Sequence, residues 1–234
     1  MAKIINIIIS PILYLQGAIV FVIGGIICLL LAIISRSLMF KYVPIFCHVM
    51  LFSMGVIIRK RGKFPEGGPF IIMSNHASFI DVFTVPPAIK GEYTAVVAAK
   101  NLKIPLFSTM LKTIKAVPVQ RKNKEAARKS IQLAEQVIHD DQCSMVILPE
   151  GTRTLDGKLQ PFKKGGFHMA INTKTSILLI AHRNAHLYKP KNRWTLSPRI
   201  IDVTIGPVIN TENYNADNLN ELIEKTWKEM NNLI

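Results

Sequence analysis

The segment FIIMSNHASFID, residues 70–81, joins a short apolar run to a polar loop and then to the start of a helix. FIIM at 70–73 has the length and composition of a buried strand. Ser78 and Asp81 stand three residues apart, as in a capping box, so we predict that a helix begins near Ser78. A strand that leads directly into a helix is the repeating unit of an α/β fold.

The chain repeats this alternation from residue 64 to its end. Further apolar runs of strand length stand at 95–99, 116–119, 144–148, 176–180 and 200–205. Amphipathic helical patterns occupy 123–139 and 216–233. The predicted fold class is therefore α/β, with a largely parallel sheet flanked by helices.

The first 63 residues have a different composition. No residue from Ile4 to Ser35 is charged, and about 20 apolar residues are enough to cross a bilayer. A second uncharged stretch, 42–58, could span the membrane, re-enter it, or lie in the interface as an amphipathic helix. We therefore predict a hydrophobic, helical membrane anchor over 1–63 and an α/β domain over 64–234.

Positive charge is concentrated around this anchor. The chain has 29 Lys and Arg against 15 Asp and Glu, which gives a formal net charge of +14 at pH 7. The region 1–63 contains basic residues and no acidic one, and it ends in the cluster RKRGK at 59–63. Basic residues tend to flank membrane segments on the cytoplasmic side. The pattern favours a membrane surface over nucleic acid as the anionic partner and places the α/β domain on the cytoplasmic face.

His76 stands in the loop after the first strand, five residues before Asp81. On one continuous helix the two side chains would diverge, because each residue turns the helix by about 100°. They can meet if His76 remains in the loop and the helix begins after it. A histidine oriented by a carboxylate is a general base with its partner in place. The alternative is an ordinary loop histidine near an acidic residue at a helix start.

A second polar loop, PEGTRT at 149–154, follows another apolar run. Gly151 permits close backbone approach, and Arg153 offers a planar fork of donors that suits phosphate. Glu150 could accept a hydrogen bond from a substrate hydroxyl or hold the arginine in place. The alternative is a turn with a surface Glu–Arg pair. Because ligands bind beyond the carboxyl ends of strands in such sheets, we expect this loop to lie near His76.

Two motifs resemble those of the glycerolipid acyltransferases. NHASFID at 75–81 resembles their first motif, NHxSxxD, and LPEGTR at 148–153 resembles their third, FPEGTR. The chain is most similar to the 1-acylglycerol-3-phosphate acyltransferases. The resemblance implies that an acyl thioester, on coenzyme A or acyl carrier protein, donates its acyl group to the sn-2 hydroxyl of lysophosphatidic acid, giving phosphatidic acid. His76 would take the hydroxyl proton, and Asp81 would orient its ring.

The second block of the family is matched less closely, by Lys100 and by VPVQR, which ends at Arg121. The resemblance implies that these two residues bind substrate together with Glu150, Gly151 and Arg153, the basic ones through the phosphate. The block lacks its usual glycine and aspartate, and the fourth block lacks its usual proline. The acceptor therefore stays open between lysophosphatidic acid, glycerol-3-phosphate and another lysophospholipid. A catalytically silent lipid-binding module on the same fold is the alternative from another class.

No metal and no cofactor are expected. Cys28, Cys47 and Cys143 form no CxxC pair. His182 and His186 lie four residues apart, but no acidic third ligand accompanies them. The predicted partners are membrane lipids and the acyl donor, without nucleic acid.

Overall fold

The computed structural model describes residues 2–119 and 124–234, which form a seven-stranded sheet with helices packed on it. The strands are β1 (Val56–Arg61), β2 (Ile71–Ser74), β3 (Tyr93–Ala98), β4 (Val117–Val119), β5 (Ser144–Ile147), β6 (Ile177–Arg183) and β7 (Arg199–Ile209). The helices are α1 (Ala2–Ile34), α2 (Arg36–Ser53), α3 (Asp81–Thr84), α4 (Phe107–Thr113), α5 (Lys124–Asp141), α6 (Gly165–Asn172), α7 (Ala185–Tyr188) and α8 (Leu219–Leu233). Short 3-10 turns occupy Pro86–Ala88 and Ala99–Lys103.

The sheet has the order β1-β7-β6-β2-β5-β3-β4. Strands β6, β2, β5, β3 and β4 are parallel, whereas β7 is antiparallel to β6 and β1 is parallel to β7. Every strand that the sequence predicts is present, and so are both amphipathic helices. The predicted α/β class with a largely parallel sheet is confirmed.

Strand β1 lies where the sequence predicts the end of a helical anchor. Residues 56–61 pair in register with 199–204 of β7. Asp202 on β7 compensates the basic residues, because its Oδ1 lies 2.5 Å from Arg59 Nε and 3.6 Å from Arg61 Nε. The predicted boundary at residue 63 therefore needs correction: the cluster that the sequence presents as a membrane flank includes part of a strand of the sheet.

Helix α2 is a layer of the same fold. Phe46 and Leu51 are buried in one hydrophobic cluster with Ile72 of β2 and Ile201 of β7. The opposite side of the helix leaves apolar residues such as Phe52 exposed. The stretch 42–58 thus forms most of a helix with one buried and one exposed face, followed by the first residues of β1.

Helix α1 is 33 residues long and apolar enough to cross a membrane by length and composition. It nevertheless lies along the domain. Near its start, Asn6 Nδ2 donates to Ser197 Oγ at 2.8 Å. Further along, a Cβ added to Gly25 would lie 2.9 Å from Leu106 Cδ2, so the helix backbone passes close to the residues before α4. At about 1.5 Å per residue, the stretch between these contacts measures roughly 28 Å.

The outer side of α1 is exposed to the surroundings, and large aliphatic side chains dominate it. These side chains are Ile4, Ile5, Ile8, Ile12, Leu15, Ile19, Val22, Ile23, Ile26, Leu30, Ile33 and Ile34. Soluble monomeric proteins rarely expose a contiguous apolar surface of this kind, which marks an interaction with a partner or a membrane.

Candidate active site

His76 and Asp81 lie at the carboxyl end of β2, in the centre of the sheet. His76 Nδ1 is 2.9 Å from Asp81 Oδ2. The two side chains meet because α3 begins only at Asp81, so that His76 stays in the loop. The structure therefore contains the His–Asp pair that the spacing predicts.

The Asp81 carboxylate also holds the loop that carries His76. It accepts hydrogen bonds from the backbone N–H of Ala77 at 2.8 Å and from that of Ser78 at 2.9 and 3.1 Å. This is the carboxylate half of a capping box. The prediction that Ser78 caps the helix is wrong. The N-cap is Ile80, and the buried Ser78 hydroxyl finds no partner among the described residues. The carboxylate satisfies these loop N–H groups, and the regular helix begins only at Asp81.

Glu150 joins the two polar loops and is only 3% exposed. One carboxylate oxygen accepts from the backbone N–H of His76, and the other accepts from that of Gln160 at 2.8 Å. The backbone N–H of Thr154 donates to the His76 carbonyl at 3.0 Å. The backbone of His76 is thus held on both sides by the second loop. These contacts favour a positioning role for Glu150, and its predicted contact with substrate stays a prediction.

Burial raises the pKa of Glu150 to about 7, although two backbone N–H donors favour its ionised form. The folded protein therefore holds this proton more tightly than the unfolded chain, in which the pKa is 4.5. We expect the group to favour folding fully below pH 4.5 and to lose this effect as the pH rises to about 7, by roughly 3 kcal/mol.

This expectation is tested by the pH dependence of the unfolding temperature in detergent. Glu150→Gln should flatten the decline between pH 4.5 and 7 relative to the unchanged protein. It should also be less stable throughout, because one backbone N–H loses its acceptor. Glu212→Gln removes an exposed carboxylate and serves as the control. A Glu150→Gln curve parallel to that of the unchanged protein would show that Glu150 titrates normally.

Gly151 and Arg153 occupy the same loop as Glu150. Gly151 has φ of +69°, in the left-handed region that favours glycine, and a Cβ there would lie 3.0 Å from Lys163 Cε. The close neighbour of this glycine is thus a lysine side chain of the protein. Arg153 is half-buried and adjoins Thr154, whose N–H is bonded to His76. The structure therefore places Arg153 in the loop that holds the backbone of His76.

Of the two residues of the second block, Lys100 lies among the described residues. Lys100 is exposed in the 3-10 turn that follows β3. Strand β3 pairs with β5, and β5 pairs with β2, so Lys100 lies at the same sheet edge as His76. Within residues 2–119 and 124–234, no hydrogen bond or ion pair joins Lys100 to His76, Asp81 or Arg153. Arg121 lies outside the described residues.

His182 on β6 belongs to the site although the sequence suggests only a weak metal ligand there. Its ring nitrogens lie 3.1 Å from Ser74 Oγ and 2.9 Å from Thr84 Oγ1, on either side of the His76 loop. Burial lowers the pKa of His182, so the ring is a neutral cross-link. The Asn75 side chain bonds both the N–H and the carbonyl of His182. No local sequence signal identifies this cross-link, because its partners are far apart in the chain.

A solved structure has the same fold. The crystal structure of the 1-acyl-sn-glycerophosphate (LPA) acyltransferase from Thermotoga maritima matches with a TM-score of 0.80 at 20% sequence identity. The match covers 98% of this chain and 97% of that chain, including the two N-terminal helices.

Curated relatives share the sequence at a moderate level. The 1-acyl-sn-glycerol-3-phosphate acyltransferase of Limnanthes douglasii is 30% identical over 176 residues, which cover 75% of this chain and 63% of the relative. The enzyme of that name from Pseudomonas aeruginosa is 33% identical over 160 residues, 66% of this chain and 59% of the relative. The chain thus spans about three-fifths of the length of these relatives. The family profile described as Acyltransferase matches residues 55–183, more than half of the chain and both motif loops, so the chain belongs to the acyltransferase family.

Proposed function

We propose that this chain transfers a fatty acyl group from an acyl thioester to the sn-2 hydroxyl of lysophosphatidic acid, giving phosphatidic acid. The observation that carries the proposal is the hydrogen-bonded pair of His76 and Asp81, held between two polar loops. The names of the relatives support this acceptor. Arg153, in the loop that holds the backbone of His76, suits its phosphate. Coenzyme A or acyl carrier protein carries the acyl group.

The pair can perform the proton transfer that this reaction needs. Asp81 engages Nδ1 of His76, so Nε2 accepts the proton of the acceptor hydroxyl while its oxygen attacks the thioester carbonyl. Asp81 fixes the tautomer and stabilises the imidazolium. When the tetrahedral intermediate collapses, the C–S bond breaks and the leaving thiolate takes the proton back. The alcohol is the nucleophile itself, so no covalent acyl-enzyme forms.

The contacts around the pair keep it in one geometry before substrate arrives. Glu150 and Thr154 hold the backbone of His76, and His182 links the two ends of its loop. Preorganisation of this kind lowers the entropy that the reaction must lose. We assign Glu150 and His182 as positioning residues.

The proposal is tested by thioester consumption with the full chain in detergent. Palmitoyl-coenzyme A and palmitoyl-acyl carrier protein are offered with lysophosphatidic acid, glycerol-3-phosphate, lysophosphatidylglycerol or lysophosphatidylcholine. We expect the highest kcat/KM for lysophosphatidic acid. A higher value for another acceptor would reassign the substrate. Lack of transfer to every acceptor from both donors would contradict the proposal and favour a silent lipid-binding module.

We infer that α1 attaches the protein to a membrane surface through its outer aliphatic side. A helix crossing the bilayer while it lies along the domain over roughly 28 Å would draw charged residues of the sheet into the hydrocarbon, at high cost. A helix in the plane of the interface buries the same apolar side without that cost. Trp194 is 54% exposed, and the Tyr14 hydroxyl donates to the backbone carbonyl of Trp194. Aromatic residues are enriched at the membrane–water interface. We place this attachment on the cytoplasmic face of the membrane, because basic residues tend to flank membrane segments on that side.

Membrane extraction tests this attachment. The unchanged protein should resist high salt and alkaline carbonate, because burial of apolar surface does not weaken with ionic strength. The double substitution Ile12→Glu with Ile19→Glu should make it extractable by salt while transfer to acceptors in detergent persists. Leu133→Glu, an exposed leucine on α5, is the matched control and should stay membrane-bound. Release of the unchanged protein by salt alone would leave only electrostatic attachment.

A further inference from the structure

Lys189 directly follows α7 and reaches the loop that carries the His–Asp pair. Its Nζ lies 5.7 Å from the centre of the Phe79 ring. Phe79 stands within the loop, between His76 and Asp81. The ring of Tyr188 stacks on the same Phe79, with the ring centres 6.2 Å apart. A lysine from a distant part of the sequence thus stands beside the candidate active site.

Lys189 shares this position with two other cations. Partial burial, followed by the nearby guanidinium groups of Arg153 and Arg193, lowers the pKa of Lys189. Among the residues that the structure describes, neither Lys189 nor Arg153 forms an ion pair with a carboxylate. Like charges held together disfavour one another unless an anion joins them. The cluster therefore has the charge of an anion site.

The third cation, Arg193, holds the segment in place. Its NH2 group donates to the Tyr188 carbonyl at 3.2 Å and to Ser197 Oγ at 2.8 Å, and its Nε donates to the Thr195 carbonyl at 3.1 Å. These bonds engage two of the three guanidinium nitrogens and fix the turn that presents Lys189. Among the residues that the structure describes, Lys189 and Arg153 form no side-chain hydrogen bond, so these two cations are the better placed to bind a ligand.

We infer that Lys189 is a second ligand for the acceptor's phosphate, which together with Arg153 makes a two-cation site selective for a phosphomonoester headgroup. This inference rests on the proposed function. A phosphomonoester carries about −1.5 to −2 charge at pH 7, whereas a phosphodiester carries a single negative charge. A second cation therefore strengthens binding of the monoester more than that of the diester. Arg153 would contact either headgroup, and Lys189 would distinguish them.

The test measures binding without an acyl donor, so that it is read separately from transfer. The full chain is titrated with mixed micelles that contain either lysophosphatidic acid or lysophosphatidylglycerol, and the Kd is followed by calorimetry. Lys189→Met should raise the Kd for lysophosphatidic acid by about 10- to 100-fold, as expected for a lost charge-assisted hydrogen bond. The Kd for lysophosphatidylglycerol should change by less than about threefold. Lys189→Arg should restore most of the affinity.

Lys191→Met is the matched control, because Lys191 is exposed two residues further along the same segment. It measures the general attraction of a positive surface to anionic micelles and should leave both Kd values nearly unchanged. An unchanged affinity for lysophosphatidic acid in Lys189→Met, or an equal loss for both lipids, would overturn the inference. Transfer measured in parallel with the unchanged protein tests the proposed function, and a failure there leaves the binding result intact.

Discussion

Replacing His76 with alanine is expected to lower kcat for acyl transfer by ~10²–10⁴-fold, the usual contribution of a general base. The fold should survive, because the bond to Glu150 comes from the backbone N–H of residue 76, which alanine keeps. The rate is measured as thioester consumption at saturating acceptor, and the fold by the unfolding temperature. His139→Ala removes an exposed histidine on α5 and should behave like the unchanged protein.

Asp81→Asn should lose a similar factor, because an asparagine amide cannot fix the His76 tautomer as a carboxylate does. The variant should also be less stable, because the NH2 group of asparagine can face the backbone N–H groups of Ala77 and Ser78. In the unchanged protein these N–H groups donate to the carboxylate. The double variant should be scarcely slower than either single one, because groups that act as a unit are not additive. Additive losses would show that the two residues act independently.

Arg153→Ala is expected to raise the apparent KM for lysophosphatidic acid by about 10- to 100-fold, as a charge-assisted hydrogen bond to phosphate is lost. An acceptor that carries no phosphate, such as a monoacylglycerol, should be affected far less. Steady-state kinetics on both acceptors separates the two effects. Arg128→Ala, which removes an exposed arginine on α5, is the matched control. An equal fall of kcat on every acceptor would instead make Arg153 a structural or transition-state residue.

The central strands could be predicted because they are buried on both faces and appear as continuous apolar runs, as in SMVIL before Glu150. Strand β1 could not, because VIIRKR carries its charges on an edge strand, where they also discourage pairing with other chains. Asp202, which pairs with Arg59 of this strand, lies 143 positions from Arg59 in the sequence. We also expect that residues 64–234 alone would not fold, because this segment lacks β1 and the buried residues of α2.

The His–Asp pair could be predicted because both residues lie on one short loop, where spacing limits the geometry. The role of Glu150 could not, because it depends on which backbone N–H groups its oxygens reach. Lys189 and His182 escaped prediction for a similar reason: their partners belong to loops far away in the sequence. Sequence shows which residue types stand at strand ends, but long-range hydrogen bonds decide what each does.

The docking of α1 leaves no flexible tether between the lipid surface and the site. Ser10 is fully buried on the inner side of α1, and its hydroxyl accepts a hydrogen bond from the Leu196 N–H. Arg193 ties that same segment to the turn before Lys189. A protein on a long tether would explore a volume, and its local concentration of lipid would fall with tether length. Here the proposed attachment holds the site at one fixed height, so the acceptor arrives by lateral diffusion. The rate should then follow the mole fraction of acceptor in the surface, a two-dimensional concentration, and not its amount per volume of solution.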